Sequence, residues 1–354
     1  MPSVVAMSGG VDSSVAAALT AERAGREHTV GISLRLYSTD EQAVRSGRSC
    51  CAPDDLYDAR RAASALGVRF YVYDAQERFR SEVIDHFVRS YAQGETPNPC
   101  VRCNDQVKFD WLLDRARRLG AGELVTGHYA RVERGVDGRF CLLRARDAAK
   151  DQSYFLHGLT QEELSFVRFP LGELTKGQVR ELARARSLPN ADKPESMEVC
   201  FVAGRPVAEF LEAHGVRAAR GEIVDLTGRV LGEHAGIHHF TPGQRHGLGV
   251  SHRLPLYVAA LDAGNQRVVV GSREEVARRS FRAASASWVC EPPLAGAQCE
   301  VQIRHRGRPL PAEVMAAPDG SVQVLLREPA VGVAPGQSAV FYSGEQVLGG
   351  ARIA

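Results

Sequence analysis

Apolar residues in the first two hundred positions alternate between two textures. Short, mostly apolar runs at 2–7 (PSVVAM), 28–34, 68–73 and 123–126 read as strands buried on both faces. Between them lie longer segments with helical spacing: an Ala-rich stretch after Ser8–Ser14 that stops near Gly25, then 54–66, 77–91 and 104–119. A strand, helix, strand, helix series predicts a parallel sheet covered by helices on both faces, a Rossmann-like α/β domain. Beyond about residue 200 Gly and Pro become frequent and period-2 stretches appear at 267–270 and 321–326. Turn signals at Pro318-Asp319-Gly320, Pro335-Gly336 and Gly349-Gly350 fit a small barrel. The chain therefore divides into 1–203, a β-rich adaptor at 204–275 and a C-terminal β-barrel at 276–354.

Composition narrows this picture. With 354 residues and 44% hydrophobic content, the chain can bury several cores. The start, MPSVVAMSGG, lacks the features of a secretion signal, and no run of about 18 apolar residues occurs. A cytoplasmic protein without a membrane partner is expected. A formal charge of +2 gives no global attraction to nucleic acid, so RNA contact would need local basic patches. Of the 44 basic residues only Lys108, Lys150, Lys176 and Lys193 are lysine, which makes them candidates for places that need a compact ammonium. Eight cysteines without a secretion signal suggest reduced thiols, metal ligands or catalysis more than a disulfide framework. Cys141, Cys290 and Cys299 lie in strand-like runs as small buried hydrophobes, and Cys50-Cys51 reads as a packed pair.

Ser8-Gly9-Gly10-Val11-Asp12-Ser13-Ser14 joins the first strand to the first helix, where backbone N–H groups and the helix dipole receive anions. A tight Gly-Gly turn with a polar cap is the bland alternative. The loop lacks the Gly-Lys-Ser/Thr of a Walker A motif. It resembles the pyrophosphate-binding loop (PP-loop) of the ATP pyrophosphatases, which cleave ATP between the α and β phosphates. That resemblance implies an ATP pocket from Ala6, Met7, Ser8, Gly9, Gly10, Val11, Asp12 and Ser13, with Asp12 helping to hold Mg²⁺.

Asn98-Pro99-Cys100-Val101-Arg102-Cys103 runs into the predicted helix at 104–119, which would put Cys103 at a helix N-terminus, where the dipole favours thiolate. Together with Lys150-Asp151-Gln152-Ser153-Tyr154-Phe155-Leu156, the stretch 193–201 (KPESMEVCF) and Thr241-Pro242-Gly243-Gln244-Arg245-His246-Gly247-Leu248-Gly249, the sequence resembles the bacterial tRNA-specific 2-thiouridylases, the MnmA family, over nearly the whole chain. The likeness implies that Cys200 receives a persulfide from a sulfur-relay donor protein and that Cys103 is the second catalytic thiol. A Cys103–Cys200 disulfide would then be left to be cleared. Cys100, Cys103 and Cys200 could instead ligate a [4Fe-4S] cluster with one open iron.

The same resemblance places Gly127 and Leu34 against the nucleotide and His128 near tRNA. Asn98, Pro99 and Cys100 would meet the target base of the anticodon loop, where an unpaired uridine is cheap to expose. Lys150, Asp151, Gln152, Arg304, His305 and Gln337 fall at further tRNA positions. For Arg304–Arg308 a solvated strand edge is the alternative. Two competing functions stay open at this point, an amide-forming ATP pyrophosphatase and a non-catalytic RNA-binding protein.

Overall fold

A computed structural model describes residues 1–37, 53–195, 199–202, 204–294 and 296–354. Cys50 and Cys51 lie outside the described residues. The chain forms two compact units, one from 1–83, 100–204 and 345–347, the other from 84–99, 205–344 and 348–354. No helix among the described residues is long and apolar enough to cross a membrane.

In the first unit β1 (Ser3–Ala6), β2 (Thr29–Arg35), β3 (Arg69–Asp74) and β4 (Glu123–Val125) form the expected parallel sheet. A hairpin, β5 (Arg131–Arg134) with β6 (Phe140–Leu143), follows, and then the short β7 (Val167–Arg168), which completes the order β3-β2-β1-β4-β7. The hairpin and β7 were not apparent from periodicity, because both are short and β5 carries three charged residues. β1 is central, and its Val4 and Val5 are fully enclosed.

Helix α1 (Val11–Ala24) lies on this sheet with α2 (Pro53–Leu66) beside it. Ala16, Ala17 and Ala21 of α1 share one core cluster with Ala59, Ala62 and Ala63 of α2, so side-chain size permits close packing. The other side of α1, through Val11 and Val15, packs on Tyr129, Leu171, Val179, Ala183 and Leu188. Both faces of α1 are therefore held, and the loop that precedes it is fixed from two directions.

The run expected as one helix over 104–119 begins earlier. Helical structure starts at Pro99 and spans Pro99–Cys103, continues as a π-helical stretch at Asn104–Leu112, and ends in Leu113–Arg118. Proline suits the first helical position because its φ is preset and its missing N–H costs nothing there. Cys103 is thus the fifth helical residue and not the N-terminal one, and the first turn belongs to Pro99, Cys100 and Val101. π-helical turns are uncommon and concentrate at functional sites.

The second unit holds two β assemblies. β8 (Gly221–Asp225), β9 (Val230–His234), β10 (Tyr257–Asp262) and β11 (Arg267–Gly271) form a sheet in the order β10-β11-β8-β9, over a core of Ile223, Ile237, Phe240, Val258, Val268 and Val270. β12 (Arg278–Trp288), β13 (Ala297–Gln302), β14 (Leu310–Ala316), β15 (Val322–Ala330), β16 (Ser338–Ser343) and β17 (Gln346–Ile353) form a barrel, which the β12–β17 pairing closes. This is the expected β-rich adaptor and barrel, with short helices added at Val207–Ala213 and Arg273–Val276. The first of these buries Ala208, Phe210 and Leu211. Arg304–Arg308 lies in the turn between β13 and β14, not along a strand edge, and Arg304, Arg306 and Arg308 are exposed. Cys141 and Cys299 sit in β6 and β13, whereas Cys290 falls two residues past β12.

Candidate active site

The loop between β1 and α1 is ordered by its own serines. Ser13 Oγ accepts from Ser8 N at 3.1 Å and donates to Gly10 O at 3.0 Å, and Ser14 Oγ donates to the same carbonyl at 3.1 Å. Gly9 has φ +81°, and a Cβ there would lie 2.1 Å from Asp55 O, so only glycine fits. A Cβ on Gly127, two residues past β4, would meet Ser13 N at 2.7 Å, which lets the 126–128 segment rest on the first turn of α1. Asn190 Nδ2, wholly buried, donates to Gly9 O and Ser14 Oγ, both at 2.9 Å. Ala6 and Leu34 are half-buried, Met7, Val11 and Ser13 are buried, and Ser8 is exposed at the rim.

Three of the four lysines gather here. Lys176 Nζ lies 2.6 Å from Asp12 Oδ1 and 3.0 Å from Glu195 Oε1, and Lys150 Nζ reaches Glu195 Oε2 at 2.5 Å. Lys193 Nζ bonds Asp55, contacts Asp58 Oδ2 at 2.6 Å and lies 3.4 Å from Gly9 O. Lys108 Nζ donates to Asn104 Oδ1 at 2.9 Å, and its charge acts on His128. Position follows from local chemistry in the case of Lys176. Thr175 and Gln178 form a reciprocal capping box, which makes Lys176 the first residue of the helix Lys176–Ala185.

Charge balance around the loop is tight. Burial would lower the Lys193 pKa, yet hydrogen bonds and attraction from Asp55 and Asp58 outweigh it and hold the ammonium above its ordinary value. Burial likewise opposes ionisation of Glu195, but Lys150 and Lys176 keep its carboxyl below the usual range. Tyr129 Oη donates to Asp12 Oδ1 at 2.9 Å, and burial, then the Asp12 charge, pushes its phenol far up, so it stays a neutral donor. Asp12 thus has one oxygen committed to Lys176 and Tyr129. His128 packs between Phe109 and Phe169, with ring centroids 5.8 and 5.9 Å away, and its Nδ1 pairs with Thr126 Oγ1 at 2.8 Å. Burial, then Lys108, drives its pKa well below normal, so the imidazole is neutral.

The two thiol segments are anchored to one helical stretch. Arg102, next to Cys103, donates to Glu82 O at 2.6 Å and Glu82 Oε2 at 2.9 Å. Phe201, next to Cys200, stacks edge-on against Phe79 at 5.8 Å, and Tyr37 Oη donates to Cys200 O at 3.4 Å. Phe79 ends the α-helix Gln76–Phe79, and Glu82, three residues on, lies in the π-helical stretch Arg80–Ile84 that continues it. Cys103 and Cys200 are half-buried, while Cys100 is exposed. Asn98 and Pro99 are half-buried in the other unit.

Several residues matched to RNA contact also have structural duties. Asp151 uses both oxygens on Arg144, Ala145 N and Ser153, and Gln152 exchanges hydrogen bonds with the backbone of Tyr129. In the second unit Gln337 Nε2 donates to Thr96 O at 2.8 Å. His305 is half-buried in the Arg304–Arg308 turn. Tyr129, Asn190, Asp55, Asp58 and Glu195 were not singled out as site residues from the sequence. The lysine scarcity pointed toward their surroundings, and Glu195 lies within the 193–201 motif.

Comparison with known proteins agrees along the whole length. Family models described as tRNA methyl transferase HUP domain, tRNA methyl transferase PRC-barrel domain and aminomethyltransferase beta-barrel domain match residues 1–204, 208–272 and 278–353. A tRNA-specific 2-thiouridylase MnmA of Geobacter metallireducens is 49% identical over 99% of this chain and 96% of its own. One of Chloroflexus aurantiacus is 49% identical over 99% and 98%, and one of Acidothermus cellulolyticus 48% identical over 99% and 97%. With its serine-braced PP-loop, the ion-paired lysines beside it and this similarity from end to end, the chain belongs to the tRNA-specific 2-thiouridylase (MnmA) family of the PP-loop superfamily.

Proposed function

We propose that the protein thiolates the wobble uridine of tRNA at C2, consuming ATP and a cysteine-borne sulfur. As a tRNA-uridine 2-sulfurtransferase it needs two chemical stages, and its residues divide between them. In the first, uracil O2 attacks the α-phosphorus of ATP, the bond to the β-phosphate oxygen breaks, and pyrophosphate leaves. The Ser8–Ser13 loop and the ammonium groups of Lys176 and Lys193 suit a polyphosphate, and Gly127 and Leu34 border the nucleotide side. Asp12 Oδ2, which has no partner among the described residues, is a hard donor that suits Mg²⁺, which would neutralise charge on the departing pyrophosphate.

In the second stage the terminal sulfur of a Cys200 persulfide attacks C2, and AMP departs with the former O2. The Cys103 thiolate then attacks Cys200 Sγ, breaking the S–S bond and leaving sulfur on C2. A Cys103–Cys200 disulfide remains, which a thiol reductant clears. The observation that carries this reading is the shared anchor of the two thiol segments on Phe79 and Glu82, three residues apart in one helical stretch. Supply of the persulfide by a relay protein, and a reducing cytoplasm, complete the scheme. Asn98, Pro99, Cys100 and His128 would border the target base, and Arg304, His305 and Gln337, with Lys150, Asp151 and Gln152, would serve tRNA docking. The divisions 1–203, 204–275 and 276–354 would separate activation from RNA grip. The iron–sulfur alternative would place Cys100, Cys103 and Cys200 each on a different iron of a [4Fe-4S] cluster, and iron and sulfide analysis of anaerobically purified protein tests it.

The test is direct. Protein, ATP, Mg²⁺, a persulfide source and unmodified tRNA are incubated, and nucleosides are analysed by mass spectrometry. 2-Thiouridine with one AMP and one pyrophosphate per event is expected, and tRNA-independent ATP turnover without 2-thiouridine would refute the reading.

A further inference from the structure

The sulfur chemistry leaves unused a histidine cluster in the second unit. Glu212 lies near the end of the helix Val207–Ala213, and His238 and His239 occupy the helical turn Ile237–His239. His238 Nε2 is 3.1 Å from Glu212 Oε1 and His239 Nε2 is 3.6 Å from the same oxygen, with one ligand atom from each residue all within 4.8 Å of one another. Among the described residues this is the single group of three or more His, Cys, Asp or Glu with that convergence. We infer that Glu212, His238 and His239 bind a divalent transition-metal ion, best matched by zinc, which ties the helix Val207–Ala213 to the 237–239 turn.

Metal–ligand bonds of about 2.0–2.2 Å at tetrahedral angles place ligand atoms about 3.3–3.5 Å apart, and the two measured separations bracket that value. The surroundings are shaped for it. A Cβ on Gly236 would come within 2.5 Å of His238 Cε1, so the glycine leaves room for the imidazole. The His238 side chain is only 2% exposed, which fixes its ring, whereas His239 and Glu212 are 40% and 41% exposed and leave an open side for a water ligand. Two imidazoles and one carboxylate suit zinc better than magnesium or calcium, which prefer all-oxygen sites. The site is independent of the thiolation reading.

The full-length protein, stripped with a chelator, is titrated with zinc against a chromophoric competitor, in parallel with a Cys100→Ser/Cys103→Ser/Cys200→Ser variant, because thiols also bind zinc. One equivalent that survives in the cysteine variant is expected, together with an upward shift in Tm on zinc addition. His239→Ala and Glu212→Gln, at half-exposed positions where folding should persist by circular dichroism, each weaken that equivalent at least about tenfold. Cobalt at the site gives ligand-field bands without sulfur charge transfer. Zinc held only by thiols, or held equally in His239→Ala, Glu212→Gln and the parent, overturns the inference.

Discussion

Lys176 Nζ rests 2.6 Å from Asp12 Oδ1 although 164 residues separate the two in sequence. The pair lies at the start of two helices, α1 and Lys176–Ala185, so the positive dipole ends and the ammonium all face the loop that holds phosphate in the proposed reaction. Removing the ammonium exposes Asp12 and Glu195 to each other and to incoming phosphate. Lys176→Ala is expected to lower tRNA-dependent pyrophosphate release by about 10²-fold or more, and Lys176→Arg restores little, because a planar fork does not replace a point charge. Pyrophosphate assays on both variants check this, and near-parental rates for Lys176→Ala would remove the residue from the site.

The two thiols separate adenylation from sulfur transfer. Cys103→Ser and Cys200→Ser should each abolish 2-thiouridine while leaving tRNA-dependent pyrophosphate release within a few-fold of the parent. Loss of both activities would point instead to a collapsed site.

Gly9 combines a left-handed φ of +81° with a neighbouring carbonyl where a side chain would go. Gly9→Ala therefore costs about 1–3 kcal/mol of local strain or shifts the loop off Asp55, and ATP affinity falls. Isothermal titration with a non-hydrolysable ATP analogue, beside thermal melting, measures both effects.

Asp105 sits two residues past Cys103. Burial, reinforced by the negative charge of Glu163 and only partly offset by Arg102, pushes its carboxyl up from 3.8 to about 7. Because the folded state holds this proton more tightly than the unfolded chain, stability is highest below about pH 4 as far as this group is concerned and falls as pH rises to about 7. Asp105→Asn should flatten that fall and raise Tm above pH 7. Melting curves at pH 5 and pH 8 that keep the parental difference would contradict the assignment.

Arg304, exposed in the turn between β13 and β14, is proposed to meet a tRNA phosphate. Arg304→Ala should weaken tRNA binding and reduce the slope of log K against log salt by about one. An unchanged slope would leave the turn as a solvated basic loop.

Much of the fold is written in local pattern. The apolar runs at 2–7, 28–34, 68–73 and 123–126 gave the parallel strands because burial on both faces demands continuous hydrophobicity, and Ser8–Ser14 marked the loop because glycine and serine there have few other uses. What local pattern missed has a common cause. The β5–β6 hairpin is too short and too charged to show periodicity, and the helical start at Pro99 depends on chain geometry more than on side-chain hydrophobicity.

The sequence by itself therefore determined the α/β order, the phosphate loop and the candidate thiols, since each is encoded in residues adjacent along the chain. Only the tertiary structure decided that Lys150, Lys176 and Lys193 pair with Asp12, Glu195, Asp55 and Asp58, that Cys103 lies inside a helix, and that Glu212 meets two histidines. The charge pairings are set by proximity in three dimensions and not by spacing in the chain, whereas the helical setting of Cys103 follows from the start at Pro99.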